Sequence, residues 1–159
     1  MRIIQFSMLF SVLLLPGVLK AEEGIKVTLV AISVMNIDSS AAWYHKYLGF
    51  DVVEKKNFSD RKMQIAVLKN NGVRIELVQL EKSVRTNQLI PNLKNPAIIQ
   101  GYGKVAYEVM NIKKTVRMMK SNGVQFLREL GISRVGQFAG YKVCIVLDCD
   151  SNWVQLYGR

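Results

Sequence analysis

The chain has 159 residues, of which 22 are Lys or Arg and 12 are Asp or Glu, for a formal charge of +10. That length holds one domain with a real core and hardly two independent ones. The charge favours solubility and weak attraction to anionic surfaces such as an envelope. It argues against nucleic acid as a partner, because the basic residues are scattered and no recognition motif accompanies them.

Met1-Arg2 opens the chain, and an apolar run from Ile3 to Leu19 follows, interrupted by Gln5, Ser7, Ser11, Pro16 and Gly17. It closes at Lys20-Ala21, after which the chain turns acidic at Glu22-Glu23. A basic start, an apolar middle and a small residue at the cut form the layout of a secretory signal peptide. Residues 1–21 are therefore expected to be removed, leaving a periplasmic or secreted protein. Their loss takes Arg2 and Lys20 away and lowers the formal charge from +10 to +8. The alternative is an uncleaved membrane anchor. The run is somewhat short for a span of about 20 residues, and Pro16-Gly17 would break it near its end.

The rest of the chain is organised by an internal repeat. Val30-Ala31-Ile32-Ser33-Val34-Met35-Asn36-Ile37 returns as Val105-Ala106-Tyr107-Glu108-Val109-Met110-Asn111-Ile112, with six of the eight positions identical. Each copy leads into a helical stretch, Asp38 to Leu48 and Lys113 to Asn122. Asn36 and Asn111 stand where an N-cap belongs, and Gly49 and Gly123 stand where a left-handed residue ends a helix. Three strands follow each helix: Phe50 to Lys56, Lys62 to Lys69 and Val73 to Leu80, then Val124 to Leu130, Tyr141 to Asp148 and Trp153 to Tyr157. Asn70-Asn71-Gly72 carries a strong hairpin signal. An irregular stretch, 81–101, connects module one (about 25–80) to module two (about 102–158) within a single domain, 22–159.

Alternation with period two assigns the faces. Val30, Ile32, Val34, Val105, Tyr107, Val109, Val73, Ile75, Leu77, Val154 and Leu156 are expected in the core. The other face carries Leu29, Ala31 and Ser33, then Lys104, Ala106 and Glu108, then Arg74, Glu76 and Val78, and finally Trp153, Gln155 and Tyr157. It is too mixed for a core and rich in groups that could bind something. Cys144 and Cys149 share one extended run, where five residues span roughly 16 Å against a bridging limit of about 7 Å. Two free thiols are expected, with Cys144 packed. His45, the only histidine, is expected exposed on the first helix.

Several segments taken in order resemble the vicinal oxygen chelate (glyoxalase and bleomycin resistance protein-like) superfamily. They are Val30 to Val34, then Ser40, Trp43-Tyr44, Leu48-Gly49-Phe50 and Arg74 to Leu77. Gly101 to Ala106, including Tyr102, and Asp148 to Leu156 complete the set. The resemblance implies an α+β fold in which two βαβββ modules pair into a curved mixed sheet around a cleft. It also implies that family members often pair modules between chains as homodimers. In metal-dependent members four equivalent strand positions hold the ion, and here they fall on Leu29, Glu76, Lys104 and Gln155. Leu29 has no donor atom and Lys104 brings a cation, so no family-type metal site and no cofactor are expected. In its place, Lys104 is expected to pair with Glu76 across the cleft, unless one or both reach solvent at its mouth.

The favoured function is therefore an exported, metal-free binder of a small organic molecule. Glu76, Lys104, Gln155, Arg74, Trp153 and Tyr157 are its candidate ligand contacts, with Tyr102 on the aromatic rim. The alternative is a family enzyme (lyase, isomerase or dioxygenase) with a degenerate metal site, Glu76 serving as base and Lys104 as electrophile.

Overall fold

The computed structural model describes residues 27–91, 100–101, 103–134 and 136–159. The expected signal segment 1–21, Tyr102 and the 92–99 part of the connecting stretch lie outside the described residues. Each repeat copy builds the same unit. Module one runs β1 (Val30–Ser33), α1 (Ile37–Leu48), β2 (Asp51–Phe58), β3 (Met63–Asn70) and β4 (Val73–Leu80). A short helix, α2 (Thr86–Leu89), lies in the connecting stretch. Module two runs β5 (Val105–Glu108), α3 (Ile112–Ser121), β6 (Phe126–Ile132), β7 (Lys142–Leu147) and β8 (Trp153–Gly158). The sheet orders are β1-β4-β3-β2 and β5-β8-β7-β6, with the first strand of each copy parallel to the last. This is the α+β arrangement expected, as two four-stranded mixed sheets rather than a closed barrel.

Local chemistry explains the element ends. The Asn36 side chain accepts from the Ser39 N–H at 2.9 Å, and Asn111 accepts from Lys114 at 3.0 Å, each a cap worth about 1 kcal/mol. α1 stops at Gly49, whose φ of 69° lets its N–H turn back to the His45 carbonyl. Asn71 and Gly72 both take positive φ, 44° and 81°, as a tight hairpin with the sheet's twist requires.

One core serves both modules. Ile32, Ile37, Tyr44, Leu68, Ile75 and Leu77 from module one join Ile112, Met119, Cys144, Val146, Val154 and Leu156 from module two. Phe50 meets Tyr107 edge to face across the seam, centroids 5.7 Å apart. Val73 departs from the expected pattern. It is 49% exposed, because it follows the hairpin turn at the end of the sheet that the core does not reach. Both cysteines are free, Cys144 buried and Cys149 exposed, as expected. Burial pushes the Cys144 thiol up to about 11.

The modules are joined by a polar clamp rather than a shared strand ladder. The β7–β8 turn of module two inserts Asp148 and Asp150, both buried, against the start of α1. Asp150 accepts from the Met35 N–H at 3.1 Å, the Ser40 hydroxyl at 3.0 Å and the Arg85 guanidinium at 3.1 Å. Asp148 accepts from the Tyr44 hydroxyl at 3.2 Å, the Asn152 side chain at 2.9 Å, and the N–H groups of Asp150 and Asn152, both at 2.8 Å. Asn152 also reaches back to the Ser33 carbonyl at 3.4 Å. The equivalent turn of module one, Asn71-Gly72, carries no carboxylate. The identical residues Met35 and Met110 accordingly differ: Met35 is half-buried beneath Asp150, whereas Met110 is fully exposed.

Candidate functional site

Glu76 sits midway along β4, with Ala31 of β1 on one side and Val67 of β3 on the other. It lines a depression of about 210 Å³ on the helix-free face of the first sheet, together with Glu54, Lys56, Phe58, Ile65 and Val67. Glu54 is ion-paired with Lys56, which holds its carboxyl below the usual range, and Arg74 contributes to the same shift from the exposed start of β4.

Lys104 and Trp153 lie elsewhere. They line a second depression, about 180 Å³, at the seam between the modules, where the β1 edge faces Gly103 to Val105 and Tyr44 and Asn152 complete the wall. Lys104 is exposed and Trp153 half-buried. Among the described residues Lys104 and Glu76 form no ion pair. The expected pairing fails because β1 stands between β4, which carries Glu76, and the seam, where Lys104 projects. Both charges reach solvent on their own sides.

Tyr157 lines a third depression, about 310 Å³, with Ala106, Glu108, Gln137, Phe138 and Tyr141. Its ring meets Phe138 at 4.7 Å and Tyr141 at 5.7 Å. Gln155 belongs to the same strand face, opposite Ala106 on β5 and Ile145 on β7, but it is buried. Its Nε2 has no hydrogen-bond partner among the described residues. Leu29, just before β1, is 37% exposed and offers no donor.

The residues expected on one cleft face thus line three separate depressions. Phe138, Gln137 and Tyr141 were not among the expected contacts; they come from the β6–β7 connection around the 3-10 turn Gly136–Phe138. No repeat or alternation marks that segment. The one available signal was an aromatic at Tyr141 directly before a strand.

A family model described as Glyoxalase/Bleomycin resistance protein/Dioxygenase superfamily matches residues 26–156. The chain belongs to this superfamily. The glyoxalase superfamily fold recurs in solved structures at low identity. A glyoxalase family protein from Enterococcus faecalis aligns over 83% of this chain and 96% of its own, with 19% identity and a TM-score of 0.66. The trypanothione-dependent glyoxalase I of Leishmania major aligns over 84% and 86%, with 19% identity and a TM-score of 0.64. Glyoxalase I of Zea mays aligns over 83% of this chain but 44% of its own, with 19% identity and a TM-score of 0.63. Comparison with curated proteins finds no match.

The residues that the resemblance puts at the superfamily's ligand positions are poor donors for a divalent ion. Leu29 has no donor, Lys104 is a cation, and Glu76 lines a different depression from Lys104. Among the described residues no three His, Cys, Asp or Glu side chains group closely enough to hold a metal. An ion needs three or four good protein ligands.

Tyr107, which replaces the Ile32 of the first repeat copy, carries a second orphan: its buried hydroxyl has no partner among the described residues. Burial first, and the Asp148 charge second, push its ionisation upward. A hydroxyl buried without a partner costs free energy, so Tyr107→Phe is expected to leave stability unchanged or raise it by up to about 1 kcal/mol. A loss above that size on urea titration would reveal a partner for the hydroxyl.

Proposed function

We propose that this glyoxalase superfamily protein is a metal-free binder of a small organic molecule, exported after loss of residues 1–21. The observation that carries the binding is the aromatic surface beside isolated charges in three depressions, two on helix-free sheet faces and one at the module seam. Trp153 adjoins Lys104, Tyr157 adjoins Glu108, and Phe58 adjoins Glu76. Flat apolar walls with a few polar groups suit small organic ligands. The donor-poor ligand positions support the metal-free reading, and the layout of the first 21 residues supports export.

Metal analysis of the purified mature protein is the first test. Stoichiometric Ni, Zn, Fe or Mn would overturn the proposal and restore a metal enzyme. A thermal-shift screen against small amphipathic compounds is the second. Ligands that stabilise the protein should lose their effect, a tenfold or greater drop in affinity, in Trp153→Ala, Tyr157→Ala or Glu76→Ala. Stabilisation indifferent to all three, or no stabilising compound at all, would sink the binding reading. N-terminal sequencing of the protein recovered from its host tests export, and an intact Met1 would refute cleavage.

A further inference from the structure

We infer that the Tyr157 depression is a site for an organic ammonium ion, a quaternary or tertiary amine of choline size. This rests on the small-molecule reading above and names its ligand class. The walls are three aromatic rings set at steep angles: Phe138 lies 52° from the Tyr157 plane and Tyr141 lies 76° from it. Rings arranged as a corner present negative π faces from more than one direction, which is how aromatic cages hold alkylated ammonium groups.

The charge inside agrees. Glu108 lines the depression, and neither Lys nor Arg does. Glu108 stands on β5 directly beside Tyr157 of β8, so the carboxylate and the central ring share one edge of the site. The volume of about 310 Å³ is enough for a small amine.

A cation already uses one of these rings. The Arg159 guanidinium stands 5.0 Å over Tyr141, and its Nη2 donates to the Tyr141 hydroxyl at 3.2 Å. That hydrogen bond, and the nearby Glu108 charge in smaller measure, favour the charged form of Arg159. Arg159 is therefore an internal rival for the site. The protein's overall positive charge opposes a cationic ligand at long range, but salt screens charges beyond about 8 Å while leaving the contacts inside the depression.

The test uses choline and its neutral isostere 3,3-dimethylbutan-1-ol on the intact protein, followed by NMR shifts and tyrosine fluorescence. Choline should bind saturably, at least tenfold tighter than the neutral isostere. Tyr157→Leu should weaken choline tenfold or more, and Glu108→Gln about three- to tenfold. Arg159→Ala should tighten it by removing the rival. Equal binding of the neutral isostere would overturn the inference, as would saturable choline binding indifferent to Tyr157 and Glu108, or none at all. Compounds that stabilise through Trp153 or Glu76 alone would leave the small-molecule reading standing while this inference fails. If Tyr157→Leu does not fold, Glu108→Gln and Arg159→Ala, both on exposed side chains, still decide it.

Discussion

Asp148→Ala is expected to destabilise the protein by about 3–4 kcal/mol, near the upper end of what single substitutions cost. The carboxylate takes four donors at the module seam. Truncation strands the Tyr44 hydroxyl, itself buried, and two backbone N–H groups of the turn, each leaving an unmet donor worth about 1–3 kcal/mol. The total is less than the sum, because the ionised carboxylate is itself penalised by burial. That desolvation, more than the charge of Asp150, raises the Asp148 ionisation above the ordinary carboxylate range despite its hydrogen bonds.

A carboxyl raised on folding contributes stability that is full below its unfolded value and is lost as pH rises through its raised folded value. The difference in stability between the wild type and Asp148→Asn should therefore shift against the wild type across that window, then flatten. Urea titrations of both proteins from pH 3.5 to 7.5 check it. A constant difference would show that folding does not raise the carboxyl, and an alanine variant within about 1 kcal/mol of wild type would show that the clamp adds little.

Gly158→Ala should cost about 3 kcal/mol, at the top of the usual range for overpacking. A Cβ there would stand 2.5 Å from the Val109 carbonyl oxygen and 3.2 Å from the Ile112 Cβ. Both neighbours are fixed. The Val109 N–H donates to the Tyr157 carbonyl at 2.9 Å, and Ile112 is wholly buried at the start of α3. The strand can relieve the clash only by parting from β5, which breaks that bond. Gly131→Ala on β6 is the control: nothing lies within 4 Å of its Cβ position and its φ is not positive, so its effect should stay within about 0.5 kcal/mol. A Gly158→Ala midpoint matching that of Gly131→Ala would refute the close approach.

Much of the fold was legible because local rules and the repeat agree. Asn36 and Asn111 cap as their type and position demand, Gly49 takes the left-handed turn, and, Val73 and the buried Gln155 aside, the alternating residues of β1, β4 and β8 follow the exposure assigned to their faces. The site was less legible because it depends on which side of β1 a long side chain leaves the backbone. Period two places Lys104 and Glu76 on comparable faces, yet does not record the strand between them. Asp148 and Asp150 were visible only as part of a turn. Their function as a seam clamp appears when Tyr44, Ser40 and Met35, more than a hundred residues earlier, arrive beside them.

That separation bears on how the chain is made. The clamp's bonds to Ser33, Met35, Ser40 and Tyr44 join positions 104 to 119 residues apart, so they contribute nothing until the β7–β8 turn has been synthesised. The first helix is translated long before the turn that anchors its buried Tyr44 hydroxyl. Module one must wait, capped and paired within itself but with one flank open, until the β7–β8 hairpin closes against it. Long-range closures of this kind are slow, and they leave apolar surface uncovered in the interval. The seam between the modules is therefore among the later parts of the fold to close, and the β7–β8 turn is what closes it.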